Sequence, residues 1–534
     1  MTSQSREQEK PAWEREFETL QRKIAVASPL ESDCPGAPVL IWTVTGGAMA
    51  HLEMGIFTAL ALGREGVPGL NVICDGTLSG CILHEATSGK PLSEWHAICR
   101  NCIHISESCL SQAGLSYIRM GDFVSPAERA EAREAAGEAT LADLADREYQ
   151  GIKVGLHAKA SLVRYYRCPA ARIQAADVDE VAREFLYAAI VNAMATRNAI
   201  ERHAPQAFYS SHGLFSDWGP SLDVATRSGL RSVLYRASPV RGKVLVKEAS
   251  SGDDLGPNFI SESEWEALKK QGISTEQDAE LRAVLSEYAS GKTVQNDIFS
   301  SKSWEGNELQ QLLGLSQDLS VWAVFLHNFW DFHLLTGQMV YDDLIDWVRE
   351  TMEIIAAVDS VQWVIKSHPV ALVQHYNYGL KELCEEFFPH LPKHITFVPS
   401  QERINNIRLQ ALCSGCVTIR GTAGFEMALQ GKPTILAGEA HYGGKGFTLD
   451  VRDREHYKRL LRSAAQLPLL TAEQVRHART YAYDYYVRRP VDVFPWGKQV
   501  CSAQDLEDRR MDAHPGYGKI AKALLSNKTK KSEG

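Results

Sequence analysis

No apolar run in this 534-residue chain approaches the roughly 20 residues that a membrane-spanning helix needs. The opening residues, MTSQSREQEK, are polar and contain none of the apolar core of a secretory signal peptide. An excess of positive charge is lacking as well. Lys and Arg number 57 against 66 Asp and Glu, a net charge of −9, which offers no electrostatic footprint for nucleic acid. No internal repeat is present, and the single Cys-x-x-Cys, Cys99 to Cys102, has no second copy. These absences point to a cytoplasmic protein with at most a peripheral contact to the inner membrane. The terminal NKTKKSEG could touch anionic lipid, although three lysines supply little attraction.

What is there is ordinary globular material: 44% hydrophobic and 23% charged residues, in a chain long enough for two domains. The eleven cysteines are expected to be reduced thiols. Five of them, Cys74, Cys81, Cys99, Cys102 and Cys109, fall in one short region. Four thiolates could bind zinc or an iron–sulfur cluster. Cysteine is also a frequent core residue, and Cys74 ends an apolar strand, so the core reading is favoured and no metal is assigned.

The pattern of strands and helices sets the fold class. Val39–Val44 reads as a strand, followed by Thr45-Gly46-Gly47-Ala48, a helix from about His51 to Gly63, and a strand at Leu70–Cys74. Residues 126–148 and 178–202 read as helices, Phe208–Ser210 as a strand running into Ser211-His212-Gly213, and RSVLYRA as another strand. Alternation weakens from about 245 to 305 and restarts at Val321–His327. A helix at Met339–Val358, the strand VQWVIK, a helix near Leu380–Phe388, the strand HITFVP and a helix near Asn405–Leu412 follow. The expected fold is α/β, two Rossmann-like domains facing a cleft. The expected divisions are a polar lead-in (1–35), a first domain (36–245), an inter-domain region (246–317) and a second domain (318–470). Residues 471–534 would form a helix returning to the first domain and a polar tail. The aromatics of YAYDYYVRRP are read as packing back on the first domain.

The most informative stretch is Val417–Asp450, VTIRGTAGFEMALQGKPTILAGEAHYGGKGFTLD. It places the turn Gly421-Thr422-Ala423-Gly424 between a buried strand and a short helix, where free amides meet a phosphate in open α/β sheets. Thr422 adds a hydroxyl donor. Glu426, expected in the first helical turn, could accept both hydroxyls of a ribose; as a plain alternative it offsets the helix dipole. Upstream, VQWVIKSHP ends a strand in Lys366 and His368, with Pro369 holding the chain extended.

GFEMALQGKPTILAGEAHYGGKGFTLD resembles the signature of bacterial capsule polysaccharide biosynthesis proteins, the Kdo-transferase-like glycosyltransferases. The matching positions are Gly424, Phe425, Glu426, Ala428, Leu429, Gly431, Lys432, Pro433, Gly438, Tyr442, Gly444, Gly446, Thr448 and Asp450. The chain departs where the family has a proline before an aromatic (Ala440–His441 here) and a tryptophan (Lys445 here). The KSHP segment resembles the His-Pro motif that holds the phosphate of a CMP-sugar. His327-Asn328-Phe329-Trp330-Asp331 resembles the segment opening the second domain of surface-polysaccharide proteins. The resemblance spans roughly 320–455. It implies a GT-B fold, a nucleotide-sugar donor (CMP- or UDP-linked) in the second domain, and a glycan or lipid-linked acceptor in the first. A base or nucleophile for that acceptor would come from the first domain, where the candidates are His212 and Asp217 in SSHGLFSDWG and Glu53 behind the Gly46-Gly47 turn; His212 could equally cap its loop, and Glu53 could equally be a first-turn helix acid. Tyr442 would lie against the donor sugar, and no cofactor or metal would be required. Two other readings stand beside it. One is an epimerase or hydrolase of nucleotide sugars with the same shape; the other is a non-catalytic, metal-organised protein of envelope assembly.

Overall fold

The computed structural model describes residues 11–27, 35–86, 90–249, 256–289, 306–328, 330, 339–368, 380–402, 404–493, 496–497 and 514–526. Phe329, Asp331, Pro369 and the terminal NKTKKSEG lie outside them.

Two sheets organise the chain. The first has the order β13-β6-β5-β4-β1-β2-β3. Its strands are β1 (Val39–Trp42), β2 (Gly69–Ile73), β3 (Tyr117–Arg119), β4 (Ala207–Ser210), β5 (Ser232–Ala237), β6 (Lys243–Ala249) and β13 (Val491–Asp492). β3, β2, β1, β4 and β5 are mutually parallel, while β6 and β13 add an antiparallel edge. The second sheet, order β12-β11-β10-β7-β8-β9, is wholly parallel. Its strands are β7 (Val321–Phe325), β8 (Gln362–Lys366), β9 (Ile395–Val398), β10 (Gly415–Thr418), β11 (Thr434–Leu436) and β12 (Leu449–Asp450).

The central strands are short apolar runs because helices cover both their faces. β1, β4, β7, β8 and β10 are buried at every residue. Helices begin where their caps dictate. Ser125, Ser261 and Thr471 each form a capping box, and Asp343 and Asn405 accept amides of the turn they open.

Caps also explain where the helices differ from expectation. The helix expected over 126–148 stops at Ala136, because Gly137 follows and Thr140 then turns onto the Asp143 carboxylate. The helix expected from Met339 starts at Leu344 behind the Asp343 cap, and Met339 instead bridges Gly438. β3, three residues long, carries no strong strand pattern of its own. β6 runs to Ala249, so the first sheet ends later than residue 245.

The helix Ala472–Tyr483 and the π turn after it do pack, but not chiefly on the first domain. Tyr481, Tyr485 and Tyr486 surround Phe425 and His441 of the second, with Trp265 of the connecting region beside Tyr481. Only beyond them does the chain return, through β13 and the helix Pro515–Leu525, whose Tyr517 meets Phe57.

Candidate functional site

Each sheet has one topological switch point, the place beside which open α/β sheets bind ligands at the carboxyl ends of their strands. In the first sheet the chain runs outward from β1 through β2 to β3, then restarts on the other side of β1 with β4. The crevice between the ends of β1 and β4 is therefore flanked by the Thr45–Ala48 turn and by Ser211-His212-Gly213. In the second sheet the reversal lies between β7 and β10. His327 follows β7, and the turn at Gly421 follows β10.

Gly421, Thr422, Ala423 and Gly424 open the helix Thr422–Leu429, with Gly421 extended at its N-cap and no side chain capping it. The first amides of such a helix lack intrahelical acceptors and carry the positive end of its dipole. The turn is braced by the Thr418 hydroxyl, which accepts from the Gly421 amide at 3.2 Å. Lys366 and His368 lie at the end of β8 on the same edge, two strand spacings from Gly421, about 10 Å. His368 sits 6.2 Å from His327, ring to ring. Burial, helped by His327 and Lys366, lowers its pKa to about 3, so the imidazole is neutral. The Lys366 ammonium is buried, bonded to the Ser367 carbonyl at 3.1 Å, and burial lowers its pKa to about 8.

Two second-domain expectations need correcting. Glu426 begins the second helical turn rather than lying in the first. It is 8% exposed, accepts from Gln410 Nε2 at 2.5 Å, and has the Tyr288 hydroxyl against it. Burial raises its pKa. A ribose could reach this carboxylate only by displacing those partners. Tyr442 is fully buried, stacked on Phe425 at 5.6 Å, with its hydroxyl on the Gly421 carbonyl at 2.6 Å. It supports the turn from below and does not face a sugar. The two departures from the family signature also have structural places. His441 stacks on Tyr485 at 4.3 Å and bonds Tyr481, and Lys445 reaches Glu262 of the connecting region at 3.5 Å.

In the first domain His212 stands at the switch point with a neighbour that sequence reasoning did not single out. His51, in the first turn of the helix Met49–Arg64, bonds the Tyr235 hydroxyl at 2.8 Å and lies 6.4 Å from the His212 ring. Both rings pack on Trp218 at 5.0 Å. Burial lowers the pKa of His51 to about 4 and pulls that of His212 down as well, with Arg236 and Arg164 adding repulsion. Arg236, at the end of β5, also acts on His441 of the second domain. Val240, in the turn after β5, shares one apolar core with Leu436 and Ala440 at the end of β11, so the carboxyl edges of the two sheets approach each other.

The other two base candidates are structural. Glu53 is 2% exposed; its two oxygens take Lys23 Nζ at 2.9 and 3.0 Å, and one also accepts the Gly497 amide. Asp217 is fully buried, and its Oδ2 accepts the Ile82 amide at 3.3 Å. Burial and the adjacent Glu85 carboxylate push its pKa up. Neither can touch an acceptor.

Of the five grouped cysteines, Cys81, Cys102 and Cys109 are buried in the core, and Cys74 and Cys99 are half-buried at its margin. Gly46 has no room for a side chain beside Ser106, and the Gly47 amide donates to Cys102 Sγ at 3.2 Å. Burial pushes Cys102 to about 11 and Cys109 to about 12. Among the described residues no three His, Cys, Asp or Glu side chains are grouped to hold a metal ion. No helix among them is long and apolar enough to cross a membrane.

Residues 345–486 match the family described as capsule polysaccharide biosynthesis protein. The family read from residues 424–450 is the family matched, and the capsule-synthesis segment covers β8 to β12, the turn at Gly421 and the aromatic helix behind it. No protein of curated function matches the chain. Among solved structures, the Thermosulfurimonas dismutans KpsC beta Kdo 2,4 transferase is 15% identical. It covers 57% of this chain and 87% of its own, at a TM-score of 0.35. The Neisseria meningitidis UDP-GlcNAc 2-epimerase bound to UDP-GlcNAc is 10% identical over 84% and 97% of the two chains, TM-score 0.28. The glycosyltransferase SnogD from Streptomyces nogalater is 14% identical over 85% and 96%, TM-score 0.26.

Proposed function

We propose that the chain is a glycosyltransferase of capsule or surface-polysaccharide synthesis. Its donor is a nucleotide-activated sugar, CMP- or UDP-linked, at the carboxyl edge of the second sheet. A glycan or lipid-linked acceptor lies against the carboxyl edge of the first. The observation that carries this reading is the coincidence of the two switch points with the motif residues. Gly421, Thr422 and His368 share one edge inside the capsule-synthesis segment, and His212 and His51 share the other.

On this reading the leaving phosphate is stabilised by fixed dipoles. The amides of the Gly421 turn and a neutral His368 N–H are donors held in place before reaction, which is where such groups are most effective; the Thr422 hydroxyl, bonded to Tyr288, joins them by exchanging that partner for the phosphate. Lys366 adds positive charge beneath them. His212, neutral at working pH, has a lone pair to accept the proton of the acceptor hydroxyl, and the His51–Tyr235 pair fixes the wall beside it.

The test is a thermal-shift screen of the full chain with CMP, CDP, UDP, GDP and ADP, alongside His368→Ala and Thr422→Ala. Stabilisation by one nucleotide that both substitutions abolish identifies the site and the donor class. Absence of a shift with every nucleotide overturns the proposal.

A further inference from the structure

One cation on the first domain's edge is built with more structure than a surface side chain needs. Arg164 lies on the helix Val154–Tyr166, its side chain 30% exposed. From behind, its Nε meets the buried Glu85 carboxylate at 3.2 Å. From below, its guanidinium carbon sits 4.7 Å from the ring centre of Phe215. The ion pair and the ring hold the guanidinium from two sides, and the Glu85 oxygens lie outside hydrogen-bond geometry, so its N–H donors are not spent on them.

The platform is itself held in a costly shape. Phe215 has φ = +67°, and a bulky residue in the left-handed region is an outlier that the surrounding structure must impose. What imposes it is visible. The next residue, Ser216, donates its amide to Ser161 Oγ at 3.1 Å on the helix that carries Arg164, and its carbonyl accepts Asn192 Nδ2 at 2.9 Å. Two residues earlier Gly213 is also left-handed, φ = +68°, so the chain doubles back between His212 and Phe215. The result sets the Phe215 ring 5.8 Å from the His212 ring on one side and under Arg164 on the other. Backbone strain at a residue beside a catalytic candidate is the kind that functional sites retain.

We infer that Arg164, backed by Glu85 and stacked on Phe215, is an oxyanion-binding subsite at the first sheet's switch point, receiving a carboxylate or phosphate carried by the acceptor. The ligand class follows from the donor geometry. A planar fork held from two sides matches a two-oxygen anion. A hydroxyl would not need a charge brought this close to two histidines that burial already keeps neutral. The inference rests on assigning the acceptor to this edge, but the site itself needs no nucleotide.

The experiment is calorimetric titration of the full chain with glucuronate, inorganic phosphate and glucose. The wild type is compared with Arg164→Lys and with the double variant Glu85→Gln/Arg164→Gln, which removes both members of the pair, so that the neighbouring Asp217 loses a repelling group and an attracting one together. The wild type binds glucuronate or phosphate and not glucose. The double variant weakens that binding at least ten-fold, and the lysine variant, lacking the fork, falls between. Loss confined to glucuronate assigns a sugar carboxylate, and loss confined to phosphate assigns a phosphoryl group. Equal anion binding by the wild type and the double variant, or no anion binding by the wild type, overturns the inference. Nucleotide stabilisation of the double variant, read in parallel, reports on the donor site separately.

Discussion

The Tyr442 hydroxyl donates to the Gly421 carbonyl at 2.6 Å, reaching from beneath the sheet edge to the turn that opens the helix Thr422–Leu429. The spacing of Gly424 and Tyr442 in the family signature follows from that bond. A Cβ on Gly424 would stand 2.6 Å from the tyrosine oxygen and 2.8 Å from Thr434 Cγ2. Gly424 is small so that Tyr442 can pass, and Tyr442 is there to hold Gly421. Gly424→Ala is expected to cost about 1–3 kcal/mol by overpacking, and Tyr442→Phe about 1–2 kcal/mol by leaving the carbonyl short of a donor. The two are in contact, so their costs do not add, and the double variant is less destabilised than the sum. Urea unfolding of the four proteins measures it; strict additivity would show that the glycine serves some other neighbour.

The buried pair Lys23–Glu53 joins the helix Ala12–Ala25 to the helix Met49–Arg64 and, through the Gly497 amide, to the returning end of the chain. Lys23→Met alone strands a carboxylate in the core and should cost about 3–5 kcal/mol, whereas Lys23→Met with Glu53→Leu should cost far less. Melting temperatures of the three proteins decide it. Because the pair is structural, Glu53→Gln should leave turnover intact below its own melting temperature. A turnover loss without a stability loss would return Glu53 to the list of bases.

The buried imidazole of His84 bears on acid stability. It is 1% exposed, stacked on Trp95 at 4.2 Å and flanked by Cys81 and Cys99, and burial lowers its pKa from 6.5 to about 4. The folded state therefore binds this proton more weakly than the unfolded chain does. Its contribution is complete above pH 6.5 and is lost as pH falls toward 4, on the order of 3 kcal/mol across that window. His84→Gln should flatten the fall in denaturation midpoint between pH 6.5 and 4. An unchanged slope would mean that the imidazole is charged in the folded protein.

Legibility of the fold tracked how locally each feature is encoded. Buried parallel strands such as Val39–Trp42 and Gln362–Lys366 are short apolar runs followed by turn residues, and they stand out in any reading. Tyr117–Arg119 does not, because it owes its strand to β2, far upstream in sequence, whereas β6 pairs with β5, the strand just before it, and straddles the boundary expected at residue 245. The donor-side turn was visible because a glycine turn between a strand and a helix is a contiguous pattern. Its finer roles were not: whether Glu426 faces a ligand or Gln410 depends on a residue sixteen positions away. His51 and Arg164 were missed for the same reason. Each sits on a helix with no local motif, and only the meeting of the ends of β1 and β4 gives either a function. His51 did carry one faint signal, a histidine in the first turn of a helix that follows a Gly-Gly turn.

The proposed base makes the sharpest kinetic prediction. His212 is surrounded by Trp218, Phe215 and His51, with Arg236 and Arg164 within electrostatic reach, and all of these press its pKa below 6.5. A neutral base stays competent until the medium is acidic enough to protonate it. The acid limb of kcat/KM, measured with the donor found in the nucleotide screen, should accordingly fall below pH 6.5 rather than centre on it. His212→Asn should lower kcat by about 10²–10⁴-fold with little change in nucleotide affinity, because the donor edge is on the other sheet. Tyr235→Phe removes the hydroxyl that bonds His51 Nδ1, leaves His212 in place, and should cost less, about ten-fold. If His212→Asn retains full turnover while His368→Ala abolishes it, the donor edge stands and the base lies elsewhere on the first sheet.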